Sequence, residues 1–212
     1  MISRRFNYLS SVKIEPGEAA MTIFLILAPY GAFAVLMLVT SATVSVFTAA
    51  AICLAVIGYD VAGGRSMKIL GAGSVVVLTA VGSYVALIDP DLSVSAVKFA
   101  VDTGIFLVTL GSIVVGKPFT LQYALEIVDA ETARYPDFIR ANYIITWAWT
   151  LSMLLMMAAN AALIYAPGLP LWSGLLIALA ARNSAIYFTK WYPEYRKAKS
   201  GKPPASALPG TH

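Results

Sequence analysis

The chain has 212 residues, 59% of them hydrophobic and 12% charged, with a net charge of +4 and a mean hydropathy of +0.77. Soluble domains carry about a quarter charged residues, so the composition points away from a soluble globular fold and towards an integral membrane protein. One Cys and one His, the final residue His212, exclude a disulfide framework, a zinc site and a His-dependent catalytic triad. No cofactor or metal is expected.

At the N-terminus, Arg4 and Arg5 follow Ser3 as in a twin-arginine signal, but Asn7 stands where that motif wants an apolar residue. The apolar stretch begins only after Glu15, Pro16 and Glu18, so residues 1–20 are read as a retained cytoplasmic segment rather than a cleaved signal. Between Glu18 and Asp60 lie 41 residues without a charge. At about 1.5 Å per residue this run is roughly twice the ~30 Å hydrocarbon core and must fold back on itself. Thr40, Ser41 and Thr43 mark the turn, giving spans near 21–40 and 43–60. Pro29 is expected to kink the first, and Cys53 lies in mid-span, where a thiol is inert.

A third span is predicted over 69–88 and a fourth over 95–116, separated by Asp89, Pro90 and Asp91. Gly71 and Gly73 open the third without any phosphate-binding loop around them. The fourth carries Lys98 and Asp102, four residues apart on one helix face, which predicts a local ion pair near the outer interface.

Lys117 to Asn142 is the sizeable segment outside the spans. Over 117–141, Phe119, Tyr123 and Ile127 recur at helical spacing opposite Gln122, Glu126 and Asp129, which predicts an amphipathic helix lying along the inner membrane surface. Its acidic residues disfavour tight binding to anionic lipid. It is read as a connector sealing the bundle, or as a surface for a docking partner or an incoming substrate. Pro136 breaks the segment and Asp137 can cap the next helix.

A second uncharged run of 41 residues, from Arg140 to Arg182, turns at Pro167, Gly168 and Pro170 and yields spans near 142–166 and 171–190. The fold class is therefore all-α: a polytopic membrane helix bundle of about six transmembrane helices in three hairpins over 21–192. Residues 193–212 are expected to form a disordered cytoplasmic tail, the clearest part being the proline-rich stretch 201–212. Of the 15 basic residues, 13 fall on the side that holds both termini, which the positive-inside rule makes the cytoplasmic side. They are spread over loops and tails without a concentrated patch, so nucleic acid is not an expected partner.

The order Gly116, Lys117, Pro118, Phe119, then Pro136, Phe138, Asn142, Thr146, Trp147, Trp149 and Asn160, then Tyr192, Pro193 and Glu194, resembles the YciB or intracellular septation family of bacterial inner-membrane proteins. The resemblance runs from about Phe24 to Arg196. The N-terminal extension before Met21 and the in-span Arg182 depart from that pattern. The resemblance implies a non-enzymatic role in envelope maintenance and division, through contacts with elongation or division proteins, and it brings no catalytic residues.

Arg182 is the costliest residue in the sequence, about 12 to 15 Å from either membrane face. Such a group normally faces a protein interior or a wet cavity. It is read either as a functional site or as a structural arginine that hydrogen-bonds backbone carbonyls or a neighbouring side chain, or snorkels toward a face. Asp102 is its natural partner, but counting from Lys117 and Lys190 leaves the two about 10 Å apart in depth. Asn142, Asn160 and Asn183, with Thr146 and Thr150, supply further polar groups, read first as interhelical glue.

Trp147 and Trp149, with Trp172 and Trp191, are assigned to interfacial belts. Gly174 and Ala178 are read as small residues allowing close packing, and Met153, Met156 and Met157 as core. Two functional readings follow. One is an interaction protein of the envelope, using lipid and protein contacts, with Phe119, Tyr123 and Ile127 as its surface and a homo-oligomer left open. The other is a small transporter, channel or lipid-handling protein, with Arg182, Asp102, Asn183 and Asn160 lining its path. An enzyme ranks third, because the cytoplasmic acids Glu126, Asp129 and Glu131 form no catalytic pair.

Overall fold

Polar residues set the helix ends. The computed structural model describes residues 16–166 and 168–199, and the side chains of 24–166, 168–170 and 172–196. Among them the ordered elements are all helical: α1 (Pro16–Val39), α2 (Ala42–Ala62), α3 (Ile69–Leu87), α4 (Val94–Val114), α5 (Phe119–Ala124), a 3-10 turn at Thr132–Arg134, α6 (Pro136–Tyr165) and α7 (Leu171–Lys199). Ser41 caps α2 by accepting from the Val44 amide at 3.3 Å, and Ser93 caps α4 by accepting from Ala96 at 3.2 Å. These side-chain acceptors satisfy amides that have no intrahelical partner. At the other ends of α2 and α4 the chain turns through Gly64 and Gly116, at φ 74° and 73°, a left-handed conformation in which glycine carries no Cβ penalty.

The expected turn at Thr40 and Ser41 is present, and α3 and α4 lie within two residues of their predicted limits. Among the described residues, α2, α3, α4 and α6 are long and apolar enough to cross a membrane, and α1 shows a described apolar stretch, Phe24–Val39. α6 begins at Pro136, six residues before the predicted span, because a proline in the first turn lacks only an N–H that would have had no partner. Tyr135 is the N-cap, and Asp137 sits in the first turn instead. α7 continues nine residues beyond Lys190 and through Pro193. Around that proline, Phe188 stacks on Tyr192 (5.2 Å) and Trp191 on Tyr195 (4.9 Å). Arg196 pairs with Asp137 at 3.2 Å, tying the end of α7 to the start of α6. Of the tail expected to be disordered, 193–199 is helical as the end of α7, while 200–212 lies outside the described residues, as do residues 1–15.

The long helices pack in the order α1, α2, α3, α4, α6, α7, each against the next, with α5 against α4 and α6. Contacts along α3 and α4 are close enough to require glycine. A Cβ on Gly73 would lie 2.6 Å from both methyls of Val108, and a Cβ on Gly104 would overlap the methyls of Val77. Gly174 likewise receives Leu163 of α6, as expected from its size. The core includes Val46, Leu78, Val85, Val97 and Ile105, with Cys53 buried among them. Trp149 belongs to this interior rather than to an interfacial belt: it is 9% exposed and its indole Nε1 donates to Thr189 of α7 at 2.9 Å. Trp147, two residues away and 51% exposed, does face outward.

Ser152 is the one described residue with a buried side-chain polar atom that has no hydrogen-bond partner. An unpaired buried hydroxyl costs about 1 to 3 kcal/mol. Ser152→Ala is expected to stabilise the protein by about 1 kcal/mol, read as a higher midpoint of thermal unfolding in detergent. A lower midpoint would show that the hydroxyl has a partner.

Candidate functional site

Because α1 packs on α2 and α7 on α6, these two helices form the ends of the row and face each other across a cavity of about 940 Å³. Most of its wall is apolar, from Phe33 and Met37 of α1 to Ile145, Met153 and Met156 of α6. Four elements bring polar groups to its wall: Tyr30 of α1, Lys98 and Asp102 of α4, Asn160 of α6 and Arg182 of α7.

Asp102 accepts a hydrogen bond from Asn160 Nδ2 at 2.7 Å, and the same amide nitrogen donates to the Met156 carbonyl at 3.2 Å. The local Lys98–Asp102 ion pair expected from the sequence does not form. Lys98 lies on the N-terminal side of Asp102, the less favourable order for a pair four residues apart on a helix. Lys98 remains within electrostatic reach of Asp102.

Arg182 is also within electrostatic reach of Asp102 and Tyr30, yet it has no hydrogen-bond or ion-pair partner among the described residues. It is not a carbonyl staple. The expected 10 Å gap in depth came from taking Lys190 as the end of the helix. Asp102 lies eight residues into α4 and Arg182 eleven into α7 from the same end of the bundle, a difference of about 5 Å. Of the other amide candidates, Asn142 is buried and lines the cavity, its Nδ2 donating to the Phe138 carbonyl at 3.0 Å. Asn183 is exposed and does not line it.

The predicted surface helix is replaced by a shorter and more deeply seated one. α5 has six residues, and Phe119 is 4% exposed, meeting Trp149 edge-on at 6.4 Å. The Phe119 amide donates to Ser112 Oγ (3.2 Å), and Thr120 donates to the Asn142 carbonyl (2.9 Å). Phe119 and Tyr123 are therefore turned into the bundle and line the cavity, and of the three stripe residues Ile127 is the exposed one, at 39%.

A charged cluster missed in the sequence holds α5 there. Lys68, its side chain 3% exposed, lies 2.7 Å from Asp60 and 3.0 Å from Glu126, with its ammonium 5.1 Å from the centre of the Tyr123 ring. Arg65 adds a contact of 3.2 Å to Asp60. Gln122 accepts from the Ile69 amide at 2.8 Å. Burial pushes the Tyr123 phenol well above its ordinary range, and the surrounding acids add to that shift, so it stays neutral. The signal available in the sequence was the i, i+8 pairing of Asp60 with Lys68 across a glycine turn, which charge counting assigned only to orientation.

Among the described residues no group of three or more His, Cys, Asp or Glu is placed to hold a metal ion. No protein-family model, curated protein or solved structure matches the chain.

Proposed function

We propose that this chain is a non-enzymatic protein of a bacterial inner membrane that binds an amphiphilic anion, a lipid with a phosphate or carboxylate head, in the cavity between α1 and α7. The reading keeps both termini in the cytoplasm and six spans, on the strength of the basic residues gathered at one end of the bundle. The observation that carries it is Arg182: a guanidinium in a largely apolar cavity, with no carboxylate or carbonyl bonded to it. A cation that deep is costly unless something anionic answers it. The pocket's size and its few converging polar groups also suit a small amphiphile.

A contribution to envelope maintenance then runs through lipid rather than through a docked partner on α5, whose expected apolar stripe is mostly turned inward. Several residues that carry the resemblance to the septation family, Phe119, Phe138, Asn142, Trp149 and Asn160, line this same cavity.

The test is lipid retention by the purified full-length chain, measured by native mass spectrometry. Wild type is expected to keep a phosphate- or carboxylate-bearing amphiphile through detergent washing. Arg182→Gln should lower that occupancy about tenfold, the scale of one charge-assisted hydrogen bond, without lowering the unfolding midpoint. Equal retention by the variant, or none by folded wild type, would sink the proposal.

A further inference from the structure

Resting on that reading, we infer that the cavity is a path along which a lipid with a phosphate head crosses from one leaflet to the other, with its acyl or prenyl tails left in the bilayer. The cavity is not confined to mid-depth. Its lining starts at Val94, Ser95 and Trp172, where α4 and α7 begin, and ends at Asp137 and Arg196, where α6 begins and α7 nears its end. It is one continuous surface over the height of the bundle.

Cations recur along it. Lys98 lies near the first end and Arg182 in the middle, with Lys190 and Arg196 towards the other. On α7 the steps from Arg182 to Lys190 and on to Arg196 are about 12 and 9 Å, so a phosphate always has a cation within about 6 Å of axial travel. The terminal helices α1 and α7 are not among the helix pairs that pack along their lengths. Tails therefore have an apolar side through which to remain in lipid while the head moves.

Passage also requires that the head can leave each station. Asp102, fixed by Asn160 within electrostatic reach of Arg182, competes for that cation and keeps the midpoint from holding a phosphate too tightly. Arg196 is similarly shared with Asp137. The movement is downhill exchange between leaflets, driven by the concentration difference alone.

The experiment uses the full-length chain in phosphatidylcholine vesicles containing a tail-labelled fluorescent probe, with a membrane-impermeant reductant added outside. Phosphatidylglycerol, phosphatidylcholine and a polyprenyl phosphate serve as separate probes. Without transit, only the outer-leaflet label is bleached. With it, bleaching of at least one anionic probe goes to completion, about tenfold faster than that of phosphatidylcholine; the faster anionic probe tells whether a glycerophospholipid or a prenyl carrier is the substrate.

Arg182→Gln should slow that probe about tenfold and Arg182→Lys much less. Ala178→Trp, which narrows the cleft one helical turn from Arg182 and leaves every charge in place, should slow every probe and serves if the Gln variant does not fold. Bleaching restricted to the outer leaflet, equal rates for anionic and zwitterionic probes, or an Ala178→Trp variant as fast as wild type would each overturn the inference. If Arg182-dependent retention in detergent persists while vesicles show no transit, binding stands and passage fails. If retention is also absent, both fail.

Discussion

Lys68→Met is expected to lower the unfolding free energy by about 3 to 5 kcal/mol, the scale of removing one partner from a buried charge cluster. The ammonium serves two carboxylates at once, Asp60 at 2.7 Å and Glu126 at 3.0 Å, and it lies over the Tyr123 ring. Without it, Asp60 keeps Arg65, but Glu126 retains only a long contact with the Ser66 hydroxyl at 3.4 Å. Because Glu126, Tyr123 and Gln122 all belong to α5 or the turn after it, the loss is local as well as global. The loop over 125–135 should loosen and trypsin should cleave after Arg134 sooner. The measurements are the unfolding midpoint in detergent and the rate of that cleavage. Adding Glu126→Gln should return part of the stability, since an unpaired carboxylate is then no longer left behind. A single variant as stable as wild type would show that the cluster is solvated and dispensable.

Gly104→Val is expected to cost about 3 kcal/mol, the upper part of the range for overpacking a filled core, and to reduce accumulation in the membrane. Even the first added carbon would overlap the methyls of Val77 and come within 3.1 Å of its Cβ. Valine on a helix has essentially one rotamer, so Val77 cannot turn aside and the helices must separate. The gain in helix propensity on replacing glycine, at most about 1 kcal/mol, does not offset this. Val77→Ala in the same chain should recover a large share of the loss, as contacting residues are not additive. Independent, additive effects would show that the two positions do not touch.

Much of the helical architecture was legible because charges are rare. Two uncharged runs had to fold back, and polar residues at 40–41 and 89–91 had to lie outside them. Helix ends rich in aromatics were not legible. Hydropathy stops at Lys190, while α7 is carried further by stacked rings that no hydropathy scale registers. This misjudged end is also why Asp102 and Arg182 looked too far apart.

The amphipathic pattern of 119–128 was real, but periodicity does not say which surface an apolar stripe covers. Phe119 found Trp149 rather than lipid. Arg182 stood out for its cost, whereas Asn160 as the partner of Asp102 could not be read from one sequence, since asparagines in spans bond across helices without any spacing rule. Lys68 was hidden for the opposite reason: a lysine at a span boundary is what insertion demands, so its burial carried no mark in the sequence.

The two glycine contacts between α3 and α4 also work as a register lock. Gly73 faces Val108 and Gly104 faces Val77, so each helix offers one knob and one hole, a single turn apart. A slip of one turn in one sense would set Val77 against Val108; in the other it would set Gly73 against Gly104 and leave a void. Neither displaced arrangement fits, and so α4 has one allowed height. A slip of four residues would carry Asp102 about 6 Å along the bundle axis, out of reach of the Asn160 amide. The depth at which the cavity holds its carboxylate is thus set by two residues without side chains, neither of which lines the cavity.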